Sequence, residues 1–166
     1  ILTPPLVIPE SRTIARATAL VLAHSGDAAV WAVLLAAAWI LGDVDWKGRA
    51  LVTAAGLVIV ELVVVGTKFL IRRPRPEGRS GLIYRKMDPF SFPSGHAARA
   101  AMLILFFAVS YPAWCIVAVA LWGPVMVLSR VAIGIHYVLD AIAGAVLGAG
   151  LAVAVLALVP VVAALV

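Results

Sequence analysis

Residues 50–71, ALVTAAGLVIVELVVVGTKFLI, are apolar over the length of a bilayer crossing, with Glu61 and Lys68 as the charged interruptions. A run of about 20 such residues is at home in lipid, where backbone N–H and C=O groups must be satisfied within the segment, and a helix is what satisfies them. Four more blocks of this kind lie near residues 27–41, 96–111, 113–134 and 137–159. The expected fold class is therefore all-α: an integral membrane helical bundle of about five spans. The first and third blocks are short for a crossing, so their ends must recruit neighbouring residues or the bilayer must thin around them.

Composition agrees. The chain is 64% hydrophobic and 13% charged, whereas a soluble domain carries about a quarter charged residues. Cys115 is the single cysteine, which excludes an intramolecular disulfide and a cysteine metal cluster and leaves a packing role. No cleavable signal pattern is visible, and the first apolar residues are broken by Pro4, Pro5 and Pro9. In PESRTIARATALVLAHSG, Arg12 and Arg16 stand four apart with apolar residues between them, as in an amphipathic helix lying in the membrane interface. The expected division is an N-terminal interfacial segment over residues 1–26 and a single membrane-embedded domain over 27–166. Connections are expected to be short, GDVDWKGR after the first span and YPAW after the third, and Gly144, Gly148 and Gly150 should let the last helix pack closely.

The exception is the connection from Arg72 to Gly95. It carries Arg72, Arg73, Arg75, Arg79, Arg85 and Lys86 in RRPRPEGRSGLIYRK, against Glu77. In a soluble protein such a patch would suggest nucleic acid. Between two membrane helices it points instead to a phosphate at the bilayer surface, or to a positive-inside topology signal.

Three places stand out by spacing. Lys68 comes near the end of the second span with Arg75 seven residues on, and Pro74 and Pro76 force the chain out of helix there, so that Arg75 can turn back toward Lys68. Pro93 and Ser94 precede Gly95, His96 and a helical run, as at a capped helix start whose free N–H groups attract an anion. In SRVAIGIHYVLD, His136 and Asp140 are four apart, hence on one helix face, where the carboxylate can accept from one imidazole nitrogen and leave the other bare. Each piece alone has a bland explanation. Ionisable groups at a helix centre cost on the order of 2.5–3.5 kcal/mol each, however, so their clustering needs a reason. Glu61, two turns before Lys68, is expected to serve as an internal charge partner or a packing-interface residue rather than a catalyst. With five alternating spans, the ends of the second and fourth and the starts of the third and fifth emerge on one membrane face. Lys68 and Arg75, Ser94 to His96, and Arg130 to Asp140 then share that face.

Taken in order, KFLIRRPRP, PSGH and SRVAIGIHYVLD resemble the three-part phosphatase signature of the type 2 phosphatidic acid phosphatase superfamily, over about Leu51 to Ala163. Its members include lipid phosphate, phosphatidylglycerophosphate and undecaprenyl pyrophosphate phosphatases, glucose-6-phosphatase and soluble vanadium haloperoxidases. The resemblance implies that His136 attacks phosphorus to form a phosphohistidine, that Asp140 orients it, and that His96 protonates the leaving oxygen. It also implies that Lys68, Arg75, Arg130, Ser94 and the Gly95 N–H hold the phosphoryl oxygens, with no metal or other cofactor. Substrate and partner would be a lipid phosphate or pyrophosphate in a bilayer, with no nucleic acid, and the location a multi-pass protein of a bacterial cell (inner) membrane. The motifs read a terminal phosphate and do not separate the lipids that carry one. Arg99 lies outside the signature. The chain also departs from common six-helix members in lacking a clear first span, with the Arg12 to His24 segment in that place. Two alternatives stand beside hydrolysis: a lipid phosphotransferase using the same intermediate, and a non-catalytic anionic-lipid binding protein, which would not need the His-Asp pair. Vanadate-dependent halide oxidation ranks last.

Overall fold

The computed structural model describes residues 7–9, 11–76 and 88–163; Arg79, Arg85 and Lys86 of the basic connection lie outside the described residues. Among the described residues the chain forms α1 (Thr13–His24), α2 (Ala28–Leu41), α3 (Val44–Ile71), α4 (Gly95–Ser110), α5 (Ala113–Ala132) and α6 (Val138–Ala163), with no strand. Every apolar block is a helix. α3, α5 and the Val138–Leu158 part of α6 are long and apolar enough to cross a membrane, α1 and α2 reach that length only as a pair bent by 54°, the form of a broken span or a re-entrant loop, and α4 is a shorter apolar helix. Leu62 and Leu70 on α3, Leu128 on α5 and Val146 on α6 are exposed, as lipid-facing residues would be.

Much of GDVDWKGR proves to be helix rather than connection. Asp43 accepts the Trp46 N–H at 3.0 Å and Asp45 sits in the first turn, where the helix dipole favours a carboxylate, so α3 begins at Val44. At its other end α3 stops with Arg72 in the left-handed region at φ 52, its N–H bonded to the Lys68 carbonyl at 2.8 Å. Pro74 disfavours helix at the residue before it and the chain leaves. Its return is clasped to its departure. Ser91 donates its N–H to the Arg73 carbonyl at 2.9 Å and its hydroxyl to the Pro74 carbonyl at 3.0 Å, so both stems of the long connection lie side by side.

α4 is the central helix, packed against α3, α5 and α6, with Met102, Leu103 and Phe106 fully buried. Its contact with α6 is made backbone to side chain-free backbone: a Cβ on Gly144 would lie 2.3 Å from the Ser94 carbonyl oxygen, and one on Gly148 would lie 2.0 Å from that of Ala98. Gly150 does not share in this. Two residues further round the helix, a Cβ there meets nothing within 4 Å. α1 packs on α5, and its Ala19 and Ala23 are buried with Ile133 and Ile135 of the turn after α5.

Because the atoms facing Gly148 are backbone, they have no rotamer by which to retreat. Gly148→Ala is expected to destabilise the fold by about 1–3 kcal/mol, read as a lower unfolding midpoint in detergent. Gly150→Ala, with open space around it, should hold or slightly raise that midpoint.

Candidate active site

Each component of the site comes from a helix end whose geometry the local sequence dictates. α5 closes in a Schellman turn: Gly134 takes φ 74, its N–H bonds to the Val131 carbonyl at 3.0 Å, and the Ile135 N–H reaches the Arg130 carbonyl at 3.1 Å. This turn delivers His136 into the interior. Its side chain is 2% exposed and lies ahead of α6, which starts at Val138. The expected His-Asp arrangement on one helix face is thereby corrected. Only Asp140 is helical, and its Oδ2 stands 3.8 Å from His136 Nδ1, beyond hydrogen-bond reach. His136 Nδ1 instead donates to the Ser91 carbonyl at 2.9 Å, an acceptor contributed by the clasped loop stem. With Nδ1 carrying the proton, Nε2 keeps its lone pair, and Arg75 Nη1 lies 3.4 Å from it.

Asp140, fully buried, is satisfied otherwise. Arg73 Nη1 donates to Oδ1 at 2.7 Å and the Tyr137 N–H to Oδ2 at 3.0 Å, while the Arg73 guanidinium lies over the Tyr137 ring at 4.4 Å. The Asp140 backbone carbonyl accepts the Ser94 N–H at 3.0 Å, which ties the start of α4 to the first turn of α6. Ser94 is the N-cap of α4, its hydroxyl facing the Ala97 N–H.

Lys68 and Arg75 do converge, and a carboxylate stands between them. Lys68 Nζ donates to Asp88 Oδ2, and Arg75 Nη2 donates to the same oxygen at 2.6 Å. Arg75 Nε adds a bond to the Asp88 carbonyl at 2.7 Å, and Nη1 one to the Ile135 carbonyl at 3.2 Å. On the other flank Arg130 Nη1 lies 3.0 Å from His96 Nε2 and donates to the Ala23 carbonyl at 3.2 Å. Asp27 Oδ1 meets the same His96 nitrogen at 2.7 Å. The expected charge partner role of Glu61 is real, and the cation is Arg99 at 2.7 Å. Arg99 is buried, and it also donates to the Gly26 carbonyl. Beside this pair a largely apolar cavity of about 440 Å³ opens between α2 and α3, lined by residues such as Leu35, Trp39, Leu57 and Val58.

Sequence spacing therefore brought out the cations and imidazoles but missed Asp27, Arg73, Asp88 and Ser91. Asp88 lies just beyond the basic run that ends at Lys86, and Arg73 looked like one more surface charge. Ser91 acts through its backbone, which leaves no signal in residue type. Asp27 could have been found as an acid set in the break between two apolar helices.

Electrostatically the nucleus of the site is positive. Burial pushes the His136 imidazole down to about 4, against the pull of Asp140 and with further lowering from the Arg130, Arg75 and Lys68 charges. Among the described residues no group of three His, Cys, Asp or Glu side chains is arranged to hold a metal ion.

A sequence model of the PAP2 superfamily matches residues 48–163. A decaprenylphosphoryl-5-phosphoribose phosphatase of Mycobacterium tuberculosis is 33% identical over 139 residues, covering 80% of this chain and 74% of its own. The protein of that name from Mycolicibacterium smegmatis is 34% identical over 127 residues, 74% of this chain and 67% of its own. Among solved structures, Aquifex aeolicus LpxE superposes with a TM-score of 0.70 at 19% identity over 87% of both chains. A transmembrane PAP2-type phosphatidylglycerolphosphate phosphatase from Bacillus subtilis gives 0.68 at 22% identity, over 87% of this chain and 76% of that one.

The state of His136 can be read directly. At pH 5.5 a histidine with the ordinary value of 6.5 is about nine-tenths charged. His136, with its proton affinity lowered, should remain neutral there, as the Nδ1–H tautomer, in nitrogen-15 spectra of histidine-labelled protein. Charging should set in only as the pH falls toward 4.

Proposed function

The chain belongs to the PAP2 superfamily, and from that membership we propose that it is a membrane phosphatase that removes the terminal phosphate of a lipid phosphate through a phosphohistidine on His136. The observation that carries the proposal is the convergence of Lys68, Arg75 and the bare Nε2 of His136 at one point, where a carboxylate already sits. A pair of cations that gathers one anion beside an unprotonated imidazole suits a phosphoryl group approached by a nucleophile.

In the first step His136 Nε2 attacks phosphorus, the bond from phosphorus to the lipid oxygen breaks, and His96 gives that oxygen its proton. In the second, water attacks phosphorus, the P–N bond breaks, the water proton returns to His96 and inorganic phosphate leaves. Phosphoryl transfer asks chiefly for positioning and for stabilisation of charge on the equatorial oxygens. Lys68, Arg75 and Arg130 supply that charge, with the Gly95 N–H at the start of α4 and Ser94 completing the cradle; a metal is not required. Asp140 acts at one remove: held by Arg73, it contributes a negative charge 3.8 Å from the imidazole that becomes cationic.

The substrate class is a phosphate on a long-chain lipid. The cavity between α2 and α3 offers an apolar lining for hydrocarbon, and relatives named for a decaprenyl-linked sugar phosphate are a reason to try polyprenyl carriers first.

Phosphate release by purified protein in detergent, from a panel of polyprenyl-linked sugar phosphates, phosphatidylglycerophosphate, phosphatidic acid and polyprenyl pyrophosphates, tests the activity. His136→Ala is expected to abolish turnover while leaving a folded protein; near wild-type release would sink the covalent route. Activity should persist in excess EDTA and be inhibited competitively by vanadate, which takes the geometry of the five-coordinate transition state. Arg130→Lys keeps a charge and loses the planar fork, so kcat/KM should fall by at least about tenfold.

A further inference from the structure

The turn between α1 and α2 lies outside the residues matched by the family model, yet it is fastened to the centre of the molecule. Arg130 donates to the Ala23 carbonyl at 3.2 Å, Arg99 to that of Gly26, and Trp122 Nε1 to the Ser25 hydroxyl at 2.8 Å. Gly26 is the point of closest approach. A Cβ there would lie 3.0 Å from His96 Cδ2 and 2.7 Å from Met126 Sδ, so a side chain would push the turn off the imidazole.

The next residue, Asp27, occupies the N-cap of α2 but makes no side-chain cap bond. An aspartate in that position ordinarily accepts a backbone N–H of the first turn. Here both oxygens go to imidazoles, Oδ1 to His96 Nε2 at 2.7 Å and Oδ2 to His24 Nδ1 at 2.9 Å. A helix-capping bond worth about 1 kcal/mol is thus given up for a contact with the proposed general acid.

We infer that Asp27 is a positioning residue for the phosphatase reaction, holding the His96 ring in the orientation that delivers a proton to the leaving lipid oxygen. The groups facing His96 make the need plain. Arg130 Nη1 from α5 stands 3.0 Å from His96 Nε2 and Arg99 belongs to the same helix, both cations, and Asp27 from the α1–α2 turn is the anion set against the same ring nitrogen at 2.7 Å. His24, on the outer oxygen of Asp27, is half exposed and fixes the carboxylate from the solvent side. Asp27 forms no bond to substrate. It holds the ring in line as the P–O bond breaks, and again when the attacking water returns its proton.

The inference rests on the phosphatase proposal, and the two can fail separately. Wild type, Asp27→Asn and Asp27→Glu would be compared in detergent on two substrates: the best lipid phosphate of the panel, whose alkoxide must be protonated, and p-nitrophenyl phosphate, whose leaving group departs without a proton. Asp27→Asn is expected to lose about tenfold more kcat/KM on the lipid phosphate than on p-nitrophenyl phosphate. Asp27→Glu, which keeps the carboxylate, should recover much of that difference. Equal losses on both substrates would reduce Asp27 to a structural role and overturn the inference, as would wild-type kinetics in Asp27→Asn. Wild-type protein inert toward every phosphate ester would overturn the phosphatase proposal beneath it.

Discussion

The centre of the molecule depends on the close approach of α4 and α6. Gly144 and Gly148 present bare backbone to the Ser94 and Ala98 carbonyls, and at this distance the Ser94 N–H can reach the Asp140 carbonyl. Side chains in their place would hold the helices apart by the width of a methyl group or more. The start of α4, with His96, would then separate from the start of α6, with Asp140. Van der Waals packing between helices is the attraction available inside a bilayer, where burial of apolar surface gains nothing over lipid. Small residues at this seam therefore do what a hydrophobic core does in water.

Around that seam buried cations are set against carboxylates, with the cations in excess. Lys68 and Arg75 share Asp88, Arg73 is matched to Asp140, Arg99 to Glu61, and His96 to Asp27. An isolated ion in so apolar a setting would be prohibitive, and a buried charge persists only when paired and hydrogen-bonded. The pairs join segments distant in sequence, from the first helix break to the last helix. Polar bonds thus set the relative register of helices whose apolar faces would tolerate sliding.

The helices were legible because length and hydropathy determine them, and the cations and imidazoles because ionisable residues at membrane helix ends are conspicuous. What escaped notice depends on tertiary context. Asp43 turned an anticipated connection into the first turn of α3, a capping effect that hydropathy ignores. The four-residue spacing of His136 and Asp140 suggested a direct bond, but Gly134 ends α5 in a turn that leaves His136 short of the next helix and facing Ser91. Asp27 and Asp88 look in sequence like ordinary polar residues flanking apolar or basic runs. Their decisive partners, His96 for Asp27 and Lys68 for Asp88, lie on other helices at separations that no periodicity encodes.

Asp88 also bears on the energetics of occupancy. Since Lys68 and Arg75 hold a carboxylate of their own chain, a phosphate arriving as the proposed reaction requires would exchange one anion for another rather than fill a naked positive field. The net gain on arrival is the difference between the two, smaller than the contacts alone would suggest. The same exchange would run in reverse at the end of the proposed turnover. Inorganic phosphate loosening from the two cations would be replaced by a ligand already tethered within reach, at an effective concentration no free anion matches. A tethered competitor of this kind lowers the barrier to product escape, and an enzyme held back by tight product would turn over faster for having one.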